Sequence, residues 1–309
     1  MVKVKRVGRN VDGILLLDKP KGLTSNQALQ SVKHMFNARK AGHTGSLDPL
    51  ATGMLPICLG EATKISGFLL DSDKRYTAVC LLGIRTDSAD ADGTIISERP
   101  LQNVSDRRIT QVLQQFTGAQ MQTPPMHSAL KRNGVPLYKL AHQGITIERE
   151  ARPVTVYSLA LAGFSGNMMK ISIHCSKGTY VRTVVDDIGE ALGCGAHIVE
   201  LRRLSVGPFR EDSPMYCLDE LNTTKEQDVT KLDNLLLPVE SGLNDWPVVE
   251  LGQDAAQSLC QGQSVCLPQV KSAAYVRLHA PNGHFLGVGS VGEMGQIVPK
   301  RLMNQSKIG

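Results

Sequence analysis

Apolar residues cluster at 14–17 inside a segment, 11–17, that reads as a strand. From Thr24 the apolar positions Ala28, Leu29, Val32, Met35 and Phe36 fall on one helical face, and Thr24-Ser-Asn-Gln27 supplies a capping-box start. Segments 55–59 and 76–82 read as strands with a short helix at 62–69 between them, and 107–116 as a helix stopped by Gly118. Segments 153–164 and 168–175 read as a strand pair across the turn Ser165-Gly-Asn. The second strand runs through Ser176-Lys-Gly-Thr-Tyr-Val-Arg182 into a helix with Val181, Val184, Val185, Ile188 and Leu192 apolar, ending at Gly193. A strand at 197–206, a short helix near Leu218 and a polar stretch to about residue 245 follow. Beyond a boundary near Trp246 and Pro247, short strands with hairpin signals, among them the turn Pro281-Asn-Gly, predict a small β-rich module.

Two segments do not fit regular elements. Ala41-Gly-His-Thr-Gly-Ser-Leu-Asp-Pro-Leu-Ala-Thr-Gly53 is polar and glycine-rich, the composition of a loop whose backbone approaches a ligand closely. Residues 123–152 are rich in Pro, Gly and basic side chains around one short helical pattern at 137–141, which predicts a protruding excursion.

At 309 residues and 41% apolar side chains, the chain can bury a full core and form one large unit and one small one, with no internal repeat. No apolar run approaches the roughly 18–20 residues of a membrane span, and the basic N-terminus leads into no secretory segment, so a cytoplasmic location is expected. Seven scattered cysteines, never in a C-x-x-C pair, argue against a disulfide framework or a zinc site. Net charge is +5, yet residues 1–50 hold nine Lys/Arg against three Asp. Positive charge gathered into one stretch suggests a polyanionic partner, although scattered solvated lysines explain it equally well.

Each candidate group also has a plain structural reading. Asp48-Pro49 is how a helix or turn often begins, with Asp as N-cap, and the three glycines around Asp48, His43 and Thr44 equally suit a substrate loop. Tyr180 and Arg182 lie at a strand-turn-helix junction, where an Arg beside a carboxylate would hold it ionised. Tyr76 opens a strand and offers either a packed ring or a π-face to a base. Ser88-Ala-Asp-Ala-Asp-Gly93 imitates part of a calcium loop but lacks its first Asp and closing Glu, and reads as a turn. No Walker, zincin, nucleophile-elbow or zinc-deaminase motif is present, which points to a cofactor-free, metal-free protein and leaves RNA binding and RNA chemistry both open.

The segment Gly42-His-Thr-Gly-Ser-Leu-Asp-Pro-Leu-Ala-Thr-Gly-Met-Leu55 resembles the signature of the TruB family of pseudouridine synthases. Gly13-Ile-Leu-Leu-Leu-Asp-Lys-Pro-Lys-Gly22, Gly60-Glu-Ala-Thr-Lys64, Asp73-Lys-Arg-Tyr76, Thr86-Asp87 with Asp90, Asp92 and Gly93, Ser128-Ala-Leu-Lys131, Cys175-Ser-Lys-Gly-Thr-Tyr-Val-Arg182 and Leu201-Arg-Arg-Leu204 fall in the family's order. The resemblance implies an α+β pseudouridine-synthase fold with a mixed, mainly antiparallel sheet and flanking helices. Residues 1–248 would form the catalytic domain, 123–152 an RNA-gripping insertion, and 249–309 a PUA-like RNA-binding domain. It also implies isomerisation of a flipped-out T-loop uridine in tRNA, with no obligatory protein partner and a monomeric enzyme. Asp48 would be the catalytic aspartate, Arg182 its partner, Tyr180 the group handling the C5 proton and Tyr76 the ring stacked on the base. His43 would fill the gap left by the base, Leu201 would line the pocket, and Lys19 and Lys64 would be supporting cations. An unperturbed Asp titrates near roughly 3.9, and Arg182 would depress that further. His127 and His142 depart from the family pattern, standing where an aromatic residue and an Arg are expected. The alternatives are a tRNA-binding or tRNA-folding protein without turnover, and the catalytic subunit of a guide-RNA particle.

Overall fold

The computed structural model describes residues 8–141 and 143–304, so His142 and the first basic residues, Lys3, Lys5 and Arg6, lie outside the described residues. The chain opens with strand β1 (Gly13–Lys19), shifted two residues along from the predicted 11–17, and helix α1 (Ser25–Met35). Thr24 caps α1 in the expected box: its hydroxyl accepts from Gln27 N–H and the Gln27 side chain accepts from Thr24 N–H. The glycine-rich segment is bracketed by β2 (Ala41–His43) and β3 (Thr52–Leu59), leaving residues 44–51 as the loop. The Asp48 carbonyl accepts from Ala51 N–H in a tight turn, so the turn expected at Asp48-Pro49 is present, while no helix starts there and the N-cap reading is corrected.

The helix expected at 62–69 splits into a 3-10 turn, Gly60–Lys64, and α2 (Ser66–Leu70). After β4 (Lys74–Leu82), the hairpin β5 (Ile84–Thr86) and β6 (Ile95–Glu98) flanks the turn that imitates a calcium loop. Helix α3 (Asp106–Gln115) ends before Gly118, which instead opens β7 (Gly118–Gln122). The excursion holds only a two-residue hairpin, β8 (Lys131–Arg132) and β9 (Val135–Pro136), and α4 (Leu137–Ala141), where the helical pattern lies. Then come β10 (Arg152–Ser165), β11 (Met168–Cys175), α5 (Val181–Leu192) and β12 (Ala196–Val206), all close to expectation. Gly193 closes α5 in the left-handed region, φ 86°.

The polar stretch before residue 245 conceals more structure than its composition suggests: α6 (Leu218–Gln227), α7 (Val229–Asp233) and a 3-10 turn, Val239–Leu243. The last part is β13 (Val248–Glu250), α8 (Gln253–Cys260), β14 (Val265–Cys266), β15 (Ala273–His279), β16 (Phe285–Val291) and β17 (Gln296–Leu302). Helix α8 is absent from the sequence reading; with few apolar positions among polar neighbours, its periodicity is faint.

The main sheet has eight strands in the order β1-β3-β12-β4-β11-β10-β7, with β2 also paired to β3; only β12–β3 is parallel. This is the mixed, mainly antiparallel sheet expected. The C-terminal strands form a separate sheet, β13-β15-β16-β17-β14. Period-2 alternation decides what the main sheet offers its core face. On β4, Lys74 and Tyr76 are buried while Arg75 is exposed; on β12, Leu201 and Arg203 are buried while Arg202 turns outward to Asp18. Register then sets Arg203 opposite Tyr76 and Leu201 opposite Ala78. An apolar cluster that includes Ile14, Leu16, Met54 and Leu69 also takes in Val288 and Met303, so the two sheets share core.

Candidate active site

The Asp48 loop is fixed from below. Lys19, fully buried at the end of β1, donates from Nζ to the carbonyls of Ala51 (2.7 Å), Pro20 (2.9 Å) and Pro49 (3.4 Å). Ser25, in the first turn of α1, donates to Leu47 O (3.0 Å) and accepts from Leu47 N–H (2.7 Å). At the loop's far end Gly53 has φ +97°, and a Cβ there would stand 2.3 Å from Arg203 O, so only glycine allows β3 to lie this close to β12. The loop is thereby rigid where its carboxylate must be placed.

Arg182, in the first turn of α5, meets that carboxylate through the Nε/Nη2 edge of its guanidinium. Nε lies 2.9 Å from Asp48 Oδ2, and Nη2 donates to Asp48 Oδ1 at 3.2 Å. The remaining donors go to Ser88 O (3.0 Å) and His127 O (2.7 Å), and Nη1 lies 3.3 Å from Asp90 Oδ2. Arg182 is 5% exposed, so its charge is held in place by two carboxylates and two carbonyls. Asp90 belongs to the turn that resembled a broken calcium loop, and the sequence reading assigned it no role.

Desolvation raises the Asp48 carboxyl above its ordinary range; Arg182 pulls it back, Asp90 adds to the rise and Lys19 opposes it. The expectation of a value depressed by Arg182 is thus corrected, because loss of water outweighs the ion pair. Desolvation is nevertheless incomplete, with 39% of the Asp48 side chain open to the cleft, and both oxygens accept from the guanidinium, the arrangement of an ionised carboxylate.

Asp48, Tyr76, Tyr180, Arg182 and Leu201 all line one cavity of about 370 Å3, together with Gly45, Lys74, Ser128 and Arg203. Tyr180 precedes α5 and is clamped through its backbone: its N–H donates to Gln122 Oε1 (2.8 Å) and its carbonyl accepts from Gln122 Nε2 (3.1 Å). Burial pushes both phenols, Tyr76 and Tyr180, above the ordinary tyrosine value. Arg203 donates to Met54 O (2.7 Å) and Gly45 O (3.2 Å), and Lys74 to Leu70 O (2.8 Å) and Ser72 O (2.5 Å).

The other predicted residues are placed elsewhere. His43, on β2, is outside the cavity lining, with a buried Nδ1 lacking a partner; burial and then Arg203 lower its pKa. Lys64 also stands off the cavity, bonded to Glu61 Oε2 (2.7 Å) and Leu302 O (2.8 Å), where it ties the two sheets together. Lys19 lies beneath the loop. Asp90, Gln122, Lys74 and Arg203 were missed. Lys74, Asp90 and Arg203 lie inside segments of the family pattern without an assigned role, and Lys74 and Arg203 left a local signal, each in phase with a pocket residue, Tyr76 or Leu201, on the buried face of a strand. A larger cavity, about 730 Å3, lies at the junction of the two sheets among ions such as Arg39, Lys40 and Glu61, and carries none of the predicted site residues. Among the described residues no group of three or more His, Cys, Asp or Glu is placed to hold a metal ion, and no helix is long and apolar enough to cross a membrane.

Comparison with known proteins identifies the family. Residues 33–181 match the model described as TruB family pseudouridylate synthase (N terminal domain). Residues 182–244 match tRNA pseudouridylate synthase B C-terminal domain, and 247–303 match Pseudouridine synthase II TruB, C-terminal. Proteins named tRNA pseudouridine synthase B are similar over nearly their whole length. That of Nitrosococcus oceani is 52% identical, covering 96% of each chain, and that of Tolumonas auensis 51%, covering 96% of this chain and 93% of its own. Among solved structures, one titled Crystal Structure of a Cbf5-Nop10-Gar1 Complex is 26% identical with a TM-score of 0.73, covering 94% of this chain and 84% of that one. Three matching family models and relatives about half identical over nearly the whole length lead to one assignment: this chain belongs to the TruB family of pseudouridine synthases.

Proposed function

We propose that this chain isomerises a T-loop uridine of tRNA to pseudouridine with Asp48 as the catalytic carboxylate. The observation that carries the reading is Asp48 held in two-point contact by the buried Arg182 at the wall of a cavity lined by Tyr76, Tyr180 and Leu201. A uridine in a stem-loop must leave its stack to reach such a cavity, at a cost of about a few kcal/mol. The face of Tyr76 and the apolar side chain of Leu201 offset part of that cost by receiving the ring, and His43 fills the space the base vacates. Asp48 then acts as nucleophile, adding to the base or attacking C1′, or as a base that takes a sugar proton to give a glycal. The C1′–N1 bond breaks, the base turns, C5 joins C1′, and Tyr180 handles the C5 proton. Lys19 supports the reaction through the loop and Lys64 through the junction of the two sheets. Residues 1–248 form the catalytic domain, 123–152 grip the T arm, and 249–309 form the PUA-like RNA-binding domain. The enzyme works as a monomer in the cytoplasm with no cofactor or obligatory protein partner. Relatives about 50% identical that carry the tRNA synthase name favour this over a guide-RNA subunit.

Tritium release from a tRNA transcript bearing 5-tritiated uridine tests the reading. Wild type should release about one tritium per tRNA, while Asp48→Asn should bind the tRNA and release none. Substantial release by Asp48→Asn would remove Asp48 from the mechanism; no release by wild type with binding intact would favour a binding protein or a missing guide RNA.

A further inference from the structure

Lys74 and Arg203 have no carboxylate within ion-pair distance among the described residues, yet they are 8% and 1% exposed. Their donors go to backbone carbonyls and, from Arg203, also to the Tyr76 phenol oxygen, neutral groups that solvate a charge without neutralising it. They are also neighbours: the point where a Cβ of Gly45 would stand lies 3.7 Å from Arg203 Nη1 and 3.8 Å from Lys74 Cε. Gly45 has no side chain to fill that space and holds φ +121°. All three residues line the same cavity as Asp48 and Tyr76. Of the other charges in the cavity wall, Asp48 and Arg182 satisfy each other, which leaves two like charges facing one another across a glycine gap. Two buried cations held together without an anion cost free energy unless a ligand brings the negative charge.

Resting on the proposed function, we infer that Lys74 and Arg203 form an anion hole for the uracil ring itself, stabilising the negative charge that develops on its oxygens during the reaction. Heterolysis of the C1′–N1 bond leaves its electron pair on N1, delocalised over O2 and O4. After the base turns, a pair at C5 forms the C5–C1′ bond, the C5 proton departs to a base and N1 takes up a proton, so atoms and charge balance. If Asp48 adds to the ring instead, the same charge appears on O4 as an enolate. Each route open to Asp48 therefore loads the uracil oxygens with charge, and fixed cations in a cavity depleted of water act most strongly at that moment. Burial lowers the Lys74 pKa to about 8, with the charge of Arg203 adding to the effect and the more distant Asp73 and Asp71 opposing it, so the ammonium stays mostly protonated at neutral pH.

The test compares wild type, Lys74→Met and Lys74→Arg on T-arm stem-loops carrying either uridine or 5-fluorouridine at the target position, with Kd measured separately; 5-fluorouridine has no C5 proton to release, so its conversion is followed as loss of the C1′–N1 linkage, the C5-joined ring keeping its fluorine and taking up water across C6 and N1. Fluorine makes the uracil a better leaving group and lessens its need for an anion hole. Lys74→Met is expected to slow single-turnover conversion of uridine by about 100-fold or more, with Kd changed by less than about threefold. The loss on 5-fluorouridine should be clearly smaller, and Lys74→Arg should recover much of the rate. Equal losses on the two substrates would mean a structural role and overturn the inference. Weaker binding with an unchanged rate would mean that the pair holds a phosphate, and would overturn it as well. If Lys74→Met does not fold, Lys74→Gln takes its place in the same comparison. A wild type inactive on uridine removes the function reading and this inference with it, whereas an active wild type with an unimpaired, folded Lys74→Met removes the inference alone.

Discussion

At Asp48 the loss of water and the charge of Asp90 raise the carboxyl, while Arg182 and Lys19 lower it. A group that works as a carboxylate loses function as pH falls through its pKa. Because that pKa lies above the ordinary value of about 3.9, the acid limb of the single-turnover rate should have its midpoint above that of an unperturbed Asp. Arg182 is the largest influence holding the value down. Arg182→Met should therefore move the limb to higher pH, in addition to lowering the rate on its plateau, because the carboxylate loses a two-point partner. Rate constants measured from about pH 4 to 8 at saturating enzyme check this. A limb that stays in place when Arg182 is replaced would mean that another group titrates there.

Between elements, the junction of β7 and α5 decides where Tyr180 stands. Tyr180 is the N-cap of α5 but contributes no side-chain cap, and the buried amide of Gln122 takes over by holding both its N–H and its carbonyl. Gln122→Leu leaves the Tyr180 N–H unpaired, at about 1–3 kcal/mol where it stays buried, leaves the Tyr180 carbonyl with Val184 N–H alone (3.2 Å), and frees the ring to drift. The expected result is a kcat lowered by about tenfold or more with Kd for the T arm little changed. A proportionate loss of binding instead would show that Gln122 supports the neighbouring insertion and not Tyr180. Residues 58 positions apart make this clamp, and 92 separate Arg182 from Asp90. That distance explains what the sequence concealed. Helix α5, strand β11 and the capping box of α1 were legible because periodicity and caps are local. Asp48 and Arg182 were legible through the resemblance. Asp90 looked like a failed calcium loop and Gln122 like one polar residue among many, because their partners are set by sheet register and helix docking, which no local pattern encodes. The C-terminal module was readable as β-rich from its hairpin turns, while its helix α8 was not.

Across the whole molecule, the two sheets are joined by more than a linker. Val288 and Met303 from the C-terminal part pack with Ile14, Leu16, Met54, Ile65 and Leu69 of the main part. Polar ties cross the same seam: Lys64 donates to Leu302 O and Asn304 N–H to Glu61 Oε2 (2.7 Å). His279 Nε2 lies 2.9 Å from Glu240 Oε2. A shared apolar core couples unfolding, since water admitted on one side exposes side chains of the other. The chain is therefore expected to melt in a single transition followed calorimetrically, although it contains two sheets. Leu69→Ala, at a position with no exposure, should cost about 2–5 kcal/mol. Its effect should be to lower that one transition as a unit, with near-ultraviolet circular dichroism of Trp246 at the seam lost at the same temperature. Two separated transitions, with only the first displaced by Leu69→Ala, would mean that the C-terminal sheet is an independent body resting on the main one. The seam would then be a contact surface instead of a core.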